Sequence, residues 1–107
     1  MSWPSALSAC RARDSTLVSI KTSERNDFLT TLIDTDAWIG GNDPGGNPGA
    51  NQFVWRDGAT VEPIGWAPME PDNAPNQFCM LKTAEPAGPW RDRGCGELHA
   101  YACERTL

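Results

Sequence analysis

With 107 residues, 39% of them apolar, the chain supports one small domain over residues 1–107 and is too short for two cores. Ten glycines and nine prolines favour a loop-rich fold over a helical bundle. The net charge of −5 argues against a nucleic-acid partner, which demands a basic face, and suits a cation instead; no apolar run is long enough for membrane insertion.

Ser2 is placed to cap a first helix, with Pro4 tolerated in the opening turn and Ala6, Leu7 and Cys10 on one face. The start Met1-Ser2-Trp3-Pro4 lacks the basic residues and apolar run of a signal peptide, so Met1 reads as an added initiator on a mature fragment. Leu17-Val18-Ser19-Ile20 reads as a short strand. A second helix follows, capped by Thr22 or Ser23, with Phe28, Leu29, Leu32 and Ile33 at the spacing of an amphipathic helix. Ala37-Trp38-Ile39-Gly40-Gly41 is a buried strand ending in a turn. Residues 42–51 are Asn/Gly/Pro turn material, in which Asp43 precedes Pro44, and Phe53-Val54-Trp55 is the next strand candidate.

Residues 63–89 hold six prolines and little periodicity. An irregular stretch of that length in a small domain is functional or disordered. Trp66, Met69, Phe78 and Met80 lie within it, a composition foreign to disorder, so we read it as an ordered working loop. Short strands are expected near Met80-Leu81, Trp90-Arg91-Asp92 and Tyr101-Ala102-Cys103. Trp55-Arg56-Asp57 matches Trp90-Arg91-Asp92, but the surroundings differ and no repeat is assigned.

Cys10, Cys79, Cys95 and Cys103 read as two disulfides of a secreted or extracellular protein, with three pairings open. A zinc reading competes, because Cys95, His99 and Cys103 are spaced four apart. It fails on local structure: Gly94-Cys95-Gly96 resists helix, and no CxxC pair is present. His99, the single histidine, has no partners for a triad, so no nucleophilic enzyme is expected. Glu70 and Asp72, one proline apart, do not span a cleft as glycosidase acids must.

Taken in order, Ser2-Trp3 with Ala6 and Cys10, Leu17-Val18-Ser19-Ile20, Trp38-Ile39-Gly40-Gly41, Phe53-Val54-Trp55, Asp57-Gly58, Trp66, Glu70-Pro71-Asp72, Cys79, Trp90 with Asp92, Cys95 and Cys103 resemble the C-type lectin-like family over nearly the whole chain. The resemblance implies an α+β fold, the C-type lectin fold, with two helices flanking two small antiparallel sheets and a long ligand-binding loop. It implies the pairs Cys10–Cys103 and Cys79–Cys95, and core places for Trp38, Trp55, Trp66 and Trp90. The family's strand before the first helix is missing, so Trp3 is expected to be half exposed and the last strand to keep an open edge, which would invite pairing with another chain as a homo-oligomer.

The same resemblance implies a calcium ion held by Glu70, Asp72, Gln77 and Asp92, with neighbouring hydroxyls of a hexose completing its shell, so that metal ligands and carbohydrate-binding residues coincide. Pro71 would be cis, turning Glu70 and Asp72 toward one point. Two departures stand out. Arg91 occupies the place of a ligand asparagine, and Gln77 replaces a more usual glutamate. The alternative is a calcium-independent protein- or surface-binding domain in which Arg91 pairs with Glu70 or Asp92 and takes the cation's place; an ice-binding or structural module ranks third. A second ion site, for which Asp43 and Asn73 could serve, looks lost because Phe78 stands where an acid would be expected. Glu70-Pro71-Asp72 mixes the family's mannose-type and galactose-type motifs, and an aspartate that accepts but cannot donate tilts the reading weakly toward galactose-type sugars.

Overall fold

The computed structural model describes residues 1–44, 52–72 and 76–105. The first helix, α1 (Trp3–Arg11), forms where the sequence supplies a cap: Ser2 is extended, its hydroxyl accepts the Ser5 amide at 3.4 Å, and Pro4 falls in the first turn, where no amide is needed. Trp3, Ala6, Leu7 and Cys10 form its buried face. Trp3 is only 6% exposed, not half exposed, because its indole donates to Ile39 O at 2.8 Å and the Arg56 guanidinium lies 4.7 Å above its ring.

The first strand, β1 (Ser15–Leu17), starts two residues before the predicted one. Val18 and Ile20 are buried but leave that ladder; Val18 donates to Ala102 O at 3.0 Å and accepts from the Gly40 amide at 2.8 Å. Helix α2 (Ser23–Thr30) is capped by Thr22, whose hydroxyl accepts the Arg25 amide at 3.1 Å. Its predicted apolar face is corrected by the structure. Thr31 donates through its hydroxyl to Phe28 O at 2.6 Å and through its amide to the same oxygen at 3.1 Å, ending the helix early. Leu32 and Ile33 thus lie beyond the helix, Phe28 and Leu32 are exposed, and the buried residues are Asn26 and Leu29.

The remaining strands are β2 (Ala37–Asn42), β3 (Cys79–Lys82), β4 (Trp90–Arg93), β5 (Ala100–Tyr101) and β6 (Cys103–Arg105). They form a four-stranded sheet ordered β4-β3-β2-β5 and a two-stranded sheet β1-β6. All pairings are antiparallel except β2 with β5, which is parallel. The predicted strand at Tyr101-Ala102-Cys103 splits at Ala102, which donates to Trp38 O at 3.1 Å and accepts from Val18, passing the chain from one sheet to the other. Phe53-Val54-Trp55 contributes isolated bridges from Val54 to Asn42 and Thr60 rather than a strand. Met1 and His99 exchange two backbone hydrogen bonds, at 2.9 and 3.0 Å.

Side-chain alternation on β2 and β3 builds two apolar layers, one on each face of the larger sheet. Ile39 and Met80 enter a cluster with Val18, Phe53, Trp55 and Trp90; Trp38, Cys79 and Leu81 enter another with α1. The approach leaves no space at Gly41, where a Cβ would lie 1.9 Å from Met80 Sδ. Trp90 contacts both Trp55 and Trp66 edge-on, at 5.7 and 5.9 Å. The disulfides are Cys10–Cys103, which ties α1 to β6, and Cys79–Cys95, which ties β3 to the segment after β4.

Candidate metal centre

β4 carries the first acid of the site. Trp90 and Asp92 are fully buried, whereas Arg91 and Arg93 on the alternate positions are half-buried. The loop before the acidic motif is tied to the start of this strand, since Trp90 donates to Gly65 O at 2.7 Å and Ala67 donates to Trp90 O at 2.9 Å. Glu70 then turns back on Ala67 O at 3.0 Å, and the Glu70-Pro71 bond is cis. The Asp72 amide donates to Glu70 Oε1 at 3.1 Å and to Asp92 Oδ1 at 3.2 Å, joining acids that lie twenty residues apart in sequence.

One carboxylate oxygen from each of Glu70, Asp72 and Asp92 lies within 4.8 Å of the others. Burial pushes the Glu70 carboxyl up to about 7; a hydrogen bond with Asp92 and the charges of Asp92 and Asp72 add to the rise, and the Asp72 amide opposes it. Three acids so placed repel one another. Gln77, two residues before Cys79, has its amide oxygen buried and without a hydrogen-bond partner among the described residues. A buried acceptor left unpaired is costly, and a cation would satisfy it.

The substitution of an arginine for the cation is not what the structure contains. Arg91 points away from the acids across the strand, and its Nη2 pairs with Glu85 Oε1 at 3.4 Å. Asp43 is buried and its amide donates to Phe78 O at 2.8 Å. Asn73 and residues 45–51, expected from sequence to turn, lie outside the described residues.

The donor set fits calcium. It is all oxygen, predominantly carboxylate, with no histidine or thiolate among the three acids and Gln77, as a hard cation of six to eight oxygen ligands requires. Held there, the ion would offset the repulsion among the acids and leave ligand positions for hydroxyl oxygens. The chain's own part is to gather the acids: β4 fixes Asp92, the loop anchored at Gly65 and Ala67 brings Glu70, and the Asp72 amide orients both carboxylates. That amide has no signature in the sequence, because any residue except proline would supply it.

The sequence model of the lectin C-type domain matches residues 1–105. Among curated proteins, the chain is 32% identical over 108 residues to the secretory phospholipase A2 receptor of Oryctolagus cuniculus, an alignment that covers 96% of the chain and 7% of the receptor. It is 33% identical over 115 residues to C-type lectin domain family 10 member A of Mus musculus, covering 99% of the chain and 36% of that protein. The chain therefore spans only a small part of the length of these relatives. Among solved structures, the cow C-type carbohydrate-recognition domain of CD23, determined in the presence of GlcNAc2Man3 oligosaccharide, is 33% identical with a TM-score of 0.85, covering 100% of this chain and 81% of that one. A calcium-independent type II antifreeze protein has the same TM-score of 0.85 at 30% identity, covering 96% of this chain and 77% of that one.

Proposed function

The chain belongs to the C-type lectin domain family, and from that premise we propose that it is a secreted or extracellular, calcium-dependent carbohydrate-binding module. Glu70, Asp72, Gln77 and Asp92 are the proposed calcium ligands and also the proposed acceptors of sugar hydroxyls. The observation that carries this reading is the approach of three carboxylate oxygens to within 4.8 Å of one another. Burial and the neighbouring acids raise the Glu70 carboxyl to about 7, so near neutral pH calcium would compete with a proton on Glu70. Metal binding and sugar binding are then coupled, because the same oxygens serve both.

The reading leans to galactose-type hydroxyl pairs, since Asp72 can accept hydrogen bonds but not donate them. The similarity to a calcium-independent antifreeze protein favours a second reading, a metal-free binding surface on the same fold. Calorimetric titration with calcium, repeated in EDTA and followed by a panel of hexoses, separates the two. The lectin reading expects heat from calcium and sugar heats only in its presence. No heat at millimolar calcium would remove it in favour of the metal-free surface.

A further inference from the structure

A cleft of about 630 Å³ opens where the end of α1, β1, the start of α2, Arg56, Asp57 and β6 meet. None of these supplies a residue to the three-acid cluster. The cleft inverts the charge of the molecule: Arg11, Lys21, Arg25 and Arg56 face only two carboxylates, Asp57 and Glu104, in a chain of net charge −5. Both carboxylates are engaged. Lys21 pairs with Asp57, Arg25 pairs with Glu104 at 3.5 Å, and Glu104 also accepts the Ser19 amide.

Among the described residues, Arg11 and Arg56 take part in no ion pair. Arg56 is held in place by uncharged groups: Nε donates to Gly40 O at 2.8 Å, Nη2 donates to Asn42 Oδ1, and the guanidinium stacks 4.7 Å from the Trp3 ring centre. These contacts orient the guanidinium without neutralising it. Burial, followed by the charge of Arg11, lowers the Arg56 pKa, so the two cations work against each other across the cleft. An oxyanion between them would convert that repulsion into two charge-assisted contacts, for which the guanidinium fork is well shaped.

From an anchored Arg56 and an exposed Arg11 at one cleft, neither in an ion pair among the described residues, we infer a second binding site, for an oxyanion carried on a saccharide, sulfate or carboxylate. The cavity is larger than a lone ion needs and falls within the range of small-molecule sites. Ser15 and Thr16 give the lining hydroxyls that can hydrogen-bond a sugar.

The test uses ¹⁵N-labelled protein in EDTA, so that failure of the calcium reading does not affect it. A heparin-derived tetrasaccharide is titrated at low salt, in parallel with a hyaluronan tetrasaccharide that carries carboxylates alone. Saturable shifts at the amides of Arg11, Thr16, Thr22 and Arg56 with either saccharide support the site and identify its oxyanion. Arg11→Gln should weaken binding about tenfold, the loss of one charged contact, and Arg11→Glu should weaken it further. Arg11 is exposed, so both variants should keep the parent melting temperature. Shifts elsewhere only, affinity indifferent to both Arg11 variants, or equal binding of inorganic sulfate alone would overturn the inference.

Discussion

Asp92 is wholly shielded from water beside two further acids, so a calcium ion held there would offset charge that burial makes costly. Asp92→Asn keeps the side-chain shape and an oxygen to accept the Asp72 amide, but removes a charge from the proposed ligand set. Calcium affinity should fall by at least about tenfold while the far-UV spectrum is kept; calorimetry on the variant checks this. Arg91 makes the complementary case. Its guanidinium pairs with Glu85, so Arg91→Asn should change calcium affinity by less than about threefold, a screened long-range effect. A large gain would mean that the arginine competes with the ion after all. The acids of the site were identifiable by resemblance, because Glu70 and Asp72 flank a proline and Asp92 follows Trp90 by two. The direction of Arg91 was not, because it depends on which face of β4 each side chain takes, and a four-residue strand with polar residues at three positions gives no clear alternation.

At the level of elements, α2 shows how a few polar side chains override an apolar pattern. Asn26 accepts from Lys82 Nζ at 2.8 Å and from Trp90 Nε1 at 2.9 Å, and donates to Ala87 O at 3.1 Å. It thereby joins α2, β3, β4 and the loop at 83–89 on the face where Phe28 was expected to pack. Asn26→Ala strips an acceptor from two buried donors and should cost about 2–4 kcal/mol in urea unfolding. Lys82 also donates to Thr30 Oγ1 and Gly88 O, each at 2.9 Å, so its hydrogen-bond partners among the described residues are uncharged. Burial lowers its pKa to about 8, against a partial opposing pull from Asp27. Between about 8 and 10.5 the unfolded chain therefore holds the proton that the folded one has released, and this group's contribution to stability should rise with pH across that window. Comparing the pH dependence of unfolding with that of Lys82→Met isolates the effect; parallel curves would contradict it. None of this network was legible, since Asn26 and Lys82 look like surface residues in sequence. The buried strand β2 was legible, because an apolar run ending in two glycines leaves few other structures.

Across the whole molecule, three acids converge at the loop beside β4, and four cations gather in the cleft beside α1 and β1. The raised Glu70 carboxyl would give calcium bound at the acids a pH-dependent influence on global stability. Without the ion, the folded Glu70 carboxyl has a pKa of about 7 against an ordinary 4.5, so the folded state holds more protons than the unfolded one between those values. The stability from that proton is fully present below about 4.5 and is lost as pH rises through about 7. Calcium needs the deprotonated acids, so its binding should weaken below pH 7 and its stabilisation should grow over the range in which the proton is lost. At a free concentration one hundred times the dissociation constant, a ligand specific for the folded state adds about 2.7 kcal/mol. Thermal unfolding with oxidised disulfides, in EDTA and at fixed calcium, should therefore show a larger calcium-induced rise in Tm at pH 8 than at pH 5. An equal rise at both would place the ion away from Glu70, because only a site that exchanges a proton for the metal acquires this slope.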